Sequence, residues 1–337
     1  MKKQHFLLLY VFLPFLFFII SMAGVYAQKK VVINTDYYET LPQKITTRLY
    51  LNQKFLKFTI PSANQTDIEY KANTKLNLGI GVTYHNFSAN IFYGFKALNK
   101  DTAKGKTKGL DLQLHLYPRR WAIDVIALFP KGYHLEPKGF AINNPNKYYY
   151  RPDVQLKLIG ISAYQVTNKE KFSYRAAIIQ NEWQKKSAGS ALYGGILYYG
   201  TAKGDSALVP KSIENNFAQK GISNLNFMAI GVGGGGAYTL VMDKHFFITA
   251  SVVANLDLTL TSEDGTAGKK RKTSIGPSVV AKGAIGYNSP NWGISVNGLG
   301  SALWSKGASS PNKYYLPAGA IRLAITKKFD VKKKGGH

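Results

Sequence analysis

Phe246-Phe247-Ile248-Thr249-Ala250-Ser251-Val252-Val253-Ala254-Asn255-Leu256-Asp257-Leu258-Thr259-Leu260 is the stretch that decides the fold. The even positions are all apolar, whereas the odd ones are mostly polar: Thr249, Ser251, Asn255, Asp257 and Thr259. Period two sends the two sets to opposite faces of a strand. Strands of soluble sandwiches usually run to about 5–6 residues. This one is far longer, and about 9–11 residues suffice for a tilted strand to cross a membrane.

The same alternation recurs in Leu76, Leu78, Ile80, Val82 and Tyr84, and in Leu110, Leu112, Leu114 and Leu116. From Trp292 to Trp304, one face carries Ile294, Val296, Gly298, Gly300 and Ala302. At about 3.3 Å per residue this ruler is roughly 40 Å long, and a tilt of about 45° projects it to roughly 28 Å, close to the apolar band of a membrane barrel. Aromatic residues near strand ends (Tyr84, Phe87, Tyr117, Trp121, Phe172, Tyr174, Tyr287, Tyr314 and Phe329) are read as interfacial girdles.

The 337 residues contain 44 Lys and Arg against 18 Asp and Glu, a formal charge of +26, and no cysteine. This excludes a disulfide scaffold, a thiolate metal site and a thiol enzyme. The start resembles a secretory leader: Lys2 and Lys3, an uncharged run from Phe6 to Ile20, then small residues up to Ala27. The expected organisation is a signal peptide over 1–27, a periplasmic segment over 28–44, a barrel over 45–330 and a basic tail over 331–337. Beyond Ala27 no apolar run reaches the length of a transmembrane helix.

Strands are expected near 75–85, 87–97, 107–117, 120–130, 153–165, 171–182, 190–200, 225–241, 245–260, 273–287, 291–304 and 314–329, with a weaker one at 45–60. Pro277 and Pro317 fall inside strands and predict a bulge or bend. Short links alternate with long ones, including 131–152 and 261–272, except at 201–224. That segment hides a further strand, folds into the lumen or forms a short helix on the periplasmic side. The fold class is therefore an all-β, closed antiparallel transmembrane barrel of 12–14 strands.

Lys157, Arg175, Lys282 and Arg322 are expected to face the lumen opposite Asp111, Asp124, Asp153 and Asp257, as ion pairs closing a narrow barrel. A basic excess at a constriction would instead suit an anion-selective pore. Lys269, Lys270, Arg271 and Lys272 form the densest basic run, with further cations at Lys100, Lys104, Lys106, Lys108, Lys185, Lys186 and Lys332 to Lys334. On outer loops such charges are either solvated or meet lipopolysaccharide phosphates. The link 131–152 gathers Tyr133, His134, Phe140, Tyr148, Tyr149, Tyr150 and Arg151 as a binding surface or a fold-back over the mouth.

Gly231-Val232-Gly233-Gly234-Gly235-Gly236 fits G-x-G-x-x-G, yet Ala237 to Val241 continue as strand where a nucleotide site needs a helix. Glycines in a barrel strand serve bending or close approach. The histidines beyond the leader are His85, His115, His134, His245 and His337; none has a serine two positions on, and no H-E-x-x-H occurs. A catalytic pair would have to assemble across strands, for example at His85 or His115.

Arg48-Leu49-Tyr50 with Lys54, Tyr70 to Asn73, Gly79 to Tyr84, Lys131-Gly132-Tyr133 and Lys186 to Ser190 resemble an uncharacterised domain-of-unknown-function family of exported Gram-negative proteins. The resemblance implies an outer-membrane barrel and carries over no catalytic residue. One departure is that Asp330–His337 follow Phe329, where barrels commonly end on a terminal aromatic read by the assembly machinery. The expected function is non-enzymatic, a passive pore or a structural or adhesion platform, with a lipid- or lipopolysaccharide-modifying enzyme as the alternative. Expected partners are outer-membrane lipids, lipopolysaccharide and the barrel-assembly machinery, with no nucleic acid, metal or cofactor.

Overall fold

The computed structural model describes residues 32–62, 66–74, 76–84, 87–94 and 102–331. The expected leader, His85, Lys100, the Lys332–Lys334 tail and His337 lie outside them. Sixteen strands occur among the described residues. They are β1 (Tyr38–Thr40), β2 (Lys44–Ile60), β3 (Ile68–Lys71), β4 (Leu76–Tyr84), β5 (Phe87–Gly94), β6 (Asp111–Leu116), β7 (Trp121–Leu128) and β8 (Lys131–Glu136). The chain continues through β9 (Tyr150–Val166), β10 (Glu182–Gln184), β11 (Ala188–Lys203), β12 (Ile222–Met242), β13 (Phe246–Gly265), β14 (Gly268–Asn288), β15 (Trp292–Lys306) and β16 (Lys313–Asp330).

Fourteen strands form one antiparallel sheet, and the sheet closes on itself. From β9 the pairing runs through β11, β12, β13, β14, β15 and β16 to β2, then through β3 and β8 back to β9. This closed ring of ten strands is the upper tier. Lower down, β2 exchanges β3 for the hairpin β4–β5, and β9 exchanges β8 for the hairpin β6–β7. Among the described residues twelve strands therefore stand in the lower half of the wall.

The row that opened the sequence reading lies in β13 as expected. Its even residues are exposed on the outside and its odd residues from Phe247 to Glu263 are buried in the lumen. Exposed Leu78, Ile80 and Val82 on β4, Leu112 and Leu114 on β6, Ile230 and Val232 on β12, and Ile321, Leu323 and Ile325 on β16 extend the apolar surface around the wall. So large an exposed apolar belt is what hydrocarbon, not water, stabilises. Outside the upper tier the side chains are charged: Lys57 pairs with Glu69, and Lys71 with Glu136. The upper tier is thus a collar standing above the apolar belt.

Aromatic contacts mark both margins. Tyr287 stacks on Trp292 at 4.6 Å and meets Phe246 at 5.3 Å below, and Trp304 stacks on Tyr315 at 4.8 Å above. Phe329 is exposed one residue before the end of β16, so the last strand runs on to Asp330 past its final aromatic. Tyr117, Phe172, Tyr174 and Tyr314 correct the girdle reading, since all four are buried inside.

Several expected elements differ. Segment 171–182 is not a strand: Phe172 and Tyr174 enter the lumen, and Arg175–Ile179 form a π-helical turn with Ala176, Ala177 and Ile178 buried in succession. Three consecutive buried residues break period two, and the π-helical turn joins no strand of the wall. Segment 201–224 takes the lumen alternative: β11 ends at Lys203, and Leu208, Val209 and Phe217 pack inside around a 3-10 turn at Lys211–Asn216. Residues 261–272 are not a long loop, because β13 and β14 stay paired up to Gly265 and Gly268. The link 131–152 contains β8. No register shift occurs at either proline; the β14–β15 ladder ends just beyond Pro277, and the β16–β2 ladder skips Pro317. Their missing N–H groups fall where no partner strand asks for one.

Replacing Leu256 by arginine should cost about 2–4 kcal/mol, the scale for a cation on the lipid face near the bilayer midplane. Urea unfolding of the barrel in lipid vesicles measures it; the same change in a water-facing wall would leave stability nearly unaltered.

Candidate functional site: the filled lumen and its charges

The lumen is filled from both ends; the lower end, with the short links 117–120, 243–245 and 289–291, is taken as the inner one because short turns of such barrels face the periplasm. At the outer end Phe58 stacks between Tyr70 (6.4 Å) and Tyr314 (5.8 Å), and the Tyr70 hydroxyl donates to the Leu208 carbonyl at 2.5 Å. Leu208, Val209 and Phe217 of the β11–β12 connection complete this cap. At the inner end the plug between β9 and β11 is tied to the wall on several sides. Arg48 donates to the Ile179 carbonyl at 2.6 Å, Thr326 to Gln180 Oε1 at 2.7 Å, and Asn288 to the carbonyls of Ala176 (3.0 Å) and Glu182 (2.8 Å). The segment before β2 crosses the same end: β1 pairs with β10, and Asn34 N–H donates to the Glu170 carbonyl at 2.9 Å.

Between cap and plug lies a charge cluster. Lys282 of β14 meets Asp124 of β7 at 2.6 Å, and the ammonium also sits over the rings of Tyr117 (5.1 Å) and Tyr174 (5.0 Å). Asp124 further accepts from His115 Nδ1 and from the Tyr117 hydroxyl, each at 2.8 Å. Arg322 of β16 donates to Gln113 Oε1 at 2.9 Å and Asn52 Oδ1 at 3.2 Å, and contacts His115 Nε2 at 3.3 Å. A guanidinium can only donate, so His115 Nε2 accepts and its proton lies on Nδ1, facing Asp124. Both ring nitrogens are committed. Lys54 of β2 pairs with Asp111 of β6 at 2.8 Å. A cavity of about 30 Å³ lies beside the cluster, lined by Gln113, Asp124, Ser162, Tyr198, Lys282 and Ser301 among others. That holds a water or two.

Lys282, Arg322, Asp111 and Asp124 all lie in the lumen; Lys282 meets Asp124, whereas Asp111 is paired by Lys54, a cation outside the expected set. Asp257 also faces inward, fully buried, but joins no ion pair among the described residues. It lies against Gly231, where a Cβ would fall 1.9 Å from its Oδ1. Part of the glycine run therefore serves close approach of a side chain, and Gly231–Gly236 sit within β12. Lys157 is a correction: the buried face of β9 is even-numbered, from Val154 to Val166, so Lys157 lies on the outer face. Arg175 belongs to the plug and pairs with Glu182 at 3.5 Å. Asp153 sits by the β8–β9 register irregularity and receives Arg151 at 2.7 Å. Lys269, Lys270, Arg271 and Lys272 are exposed at the tip of the β13–β14 hairpin, with no ion pair among the described residues.

The sequence reading missed Arg48 and Lys54, although both stand on the even, inward row of β2 with Tyr50 and Asn52. Extending the alternation of 45–60 by side-chain chemistry would have found them. It also missed Glu182, whose buried carboxylate ties Ser173 (2.6 Å) to Arg119 (3.0 Å) inside the plug. Among the described histidines none is hydrogen-bonded to a serine: His134 contacts Glu136 at 3.3 Å and His245 the Asn288 carbonyl at 3.1 Å. His85 lies outside the described residues. Of the aromatic link, Tyr133 and His134 are buried in the collar, and Lys104 and Lys138 each lie 5.5 Å from the Tyr148 ring.

A closed antiparallel sheet with an apolar exterior and a polar, buried interior defines a transmembrane β-barrel. Within that class, the chain belongs to the DUF4421 family, a domain of unknown function, matched over residues 32–305. No curated protein matches it. Among solved structures it is similar to the outer membrane protease OmpT from Escherichia coli, at 9% identity and TM-score 0.35, covering 89% of this chain and 99% of that one. It is also similar to OprG from Pseudomonas aeruginosa (12%, TM-score 0.23, 88% and 99%) and to Ail, the attachment invasion locus protein of Yersinia pestis (8%, TM-score 0.20, 85% and 98%). Likenesses this remote say nothing of this chain's activity.

Asp124→Asn leaves Lys282 buried without its counter-charge and should cost about 3–5 kcal/mol. Asp124→Asn combined with Lys282→Met should recover much of that loss in the same vesicle unfolding assay. In the collar, the hydrogen bond that Lys71 donates to Glu136 holds its ammonium above the ordinary value. Burial pushes Glu136 up, but the hydrogen bonds from Lys71 and His134 outweigh it and leave the carboxyl lowered. Burial lowers His134 despite Glu136. Both lowered groups stabilise the collar above their unfolded values and cease to do so as pH falls, whereas Lys71 contributes until pH rises past its raised value. Acidification from about pH 7 to about 4 should therefore speed amide exchange in β3 and β8 while β12–β14 hold; exchange measured by mass spectrometry, corrected for intrinsic rate, checks it.

Proposed function

We propose that this chain is a non-enzymatic outer-membrane barrel acting as a closed platform of the envelope, not a passive pore. The carrying observation is the filling of the lumen at both ends, by the Leu208–Phe217 cap and by the plug around Tyr174. A passive pore needs a continuous water path, and here buried aromatic and aliphatic side chains occupy it. Four of the lumen charges are paired, Lys282 with Asp124 and Lys54 with Asp111, which supports a bracing role over ion conduction. They brace the facing walls of a barrel that would otherwise enclose water. The enzymatic alternative draws little support, since both nitrogens of His115 are engaged by Asp124 and Arg322.

The platform presents a β13–β14 hairpin, paired up to Gly265 and Gly268, rising beyond the apolar belt. Leu256, Leu258, Leu260 and Ile275 are the exposed apolar residues beneath it, and Lys269 to Lys272 form its tip. Cations directly above a lipid face attract phosphate, each worth about 1 kcal/mol near an anionic surface. Lipopolysaccharide of the outer leaflet fits that position and charge.

Planar-bilayer recording on the refolded full chain tests the reading. Silent membranes are expected from protein whose gel mobility shifts on boiling. Steady, ion-selective conductance from the same preparation would replace the platform with a pore.

A further inference from the structure

We propose that the inner mouth of the barrel holds a site for a phosphate-class oxyanion that bridges plug and wall. Lys44 at the start of β2, Arg119 in the β6–β7 turn and Arg175 in the plug line one cavity of about 90 Å³. That is several times the roughly 10–15 Å³ one water needs. Glu182 is the single carboxylate in its lining. Its Oε1 serves Arg119 at 3.0 Å and Arg175 at 3.5 Å, and its Oε2 accepts from Ser173 at 2.6 Å. Lys44 is held at 2.9 Å from Asn291 Oδ1 and 3.3 Å from Asp330, whose side chain is largely in solvent at the rim.

Three cations stand against one carboxylate in the lining, and with Asp330 at the rim counted as the partner of Lys44 an excess of about one charge remains. A phosphate group carries about −1.5 to −2 near neutral pH. Guanidinium forks match its tetrahedral oxygens in a way an ammonium alone does not. Burial, with Arg119 beside it, holds Arg175 below its ordinary value even though Glu182 pulls it up, so a further anion would relieve this corner. Asn181, Thr40 and Thr83 add neutral polar groups to the lining.

The three cations come from three separate elements, and this sets the consequence. One is in the wall, one in a turn and one in the plug, so a bound oxyanion clamps the plug shut. The site does not depend on whether the lumen conducts. Its anion is either free phosphate or the phosphate head of an inner-leaflet lipid.

The test uses the full chain folded in maltoside micelles, which contain no phosphate. Calorimetric titration with inorganic phosphate at fixed ionic strength, and separately with short-chain phosphatidic acid, should give saturable one-site binding of at least one probe. Binding of phosphate identifies a free anion; binding of phosphatidic acid alone identifies a lipid head. Each of Arg175→Gln and Lys44→Gln should weaken it by about tenfold or more, the scale of a lost charged hydrogen bond. In the unaltered barrel, saturating probe should slow amide exchange of Tyr38–Thr40 and Glu182–Gln184 severalfold, a readout that does not need either variant to fold. No saturable binding of either probe, an equal response to chloride, unchanged affinity in either folded variant, or unchanged exchange would overturn the proposal.

Discussion

In hydrocarbon, a backbone N–H or C=O left without a partner costs several kcal/mol, so a sheet that crosses a membrane must close. That constraint governs this molecule. The pairing of β16 with β2 joins the last strand to the first long one, and the β2–β3–β8–β9 path completes the ring above the apolar belt. Strand length, the outward apolar row and the aromatic margins all follow from the same solvent. The collar departs from that pattern because it stands in water: its outer face carries Lys57, Glu69, Lys71 and Glu136 where the belt carries leucine and isoleucine.

Closure creates a second demand, because a ring this wide encloses space. Here the space is filled by protein. The cap, the plug and the charge cluster are three solutions to one packing problem, differing in polarity. Aromatic and aliphatic side chains fill the outer third. Backbone carbonyls of the plug, reached by Arg48 and Asn288, fill the inner third. In between, paired charges such as Lys282 and Asp124 span the lumen from opposite walls. A buried pair is weak evidence for added stability, but it fixes which walls face one another.

Most of the wall was legible in the sequence, since a strand wetted by lipid on one side and by polar side chains on the other writes its period plainly. The β13 row is the clearest case. β9 shows where the signal fails: Ile159, Ile161 and Ala163 face outward while Leu156, Leu158 and Tyr164 face inward, so both rows are apolar and parity cannot be read. Lys157 was misplaced for that reason. Segment 171–182 deceived differently, because Phe172 and Tyr174 alternate like a wall strand but are buried among other side chains instead of lipid. Of the lumen charges, Lys282, Arg322, Asp111 and Asp124 were visible from alternation, whereas which cation meets which carboxylate depends on facing strands far apart in the chain. The inner-mouth cations could not be read together, as a turn, a strand start and a plug share no periodicity.

The short pair between β1 and β10 has a mechanical consequence. β1 is the first strand among the described residues, and it is hydrogen-bonded to the stopper rather than to the surrounding staves. Tension on the leading segment is therefore delivered straight to the obstruction, while the staves are loaded only through the few residues before Lys44. The chain carries its own pull-cord.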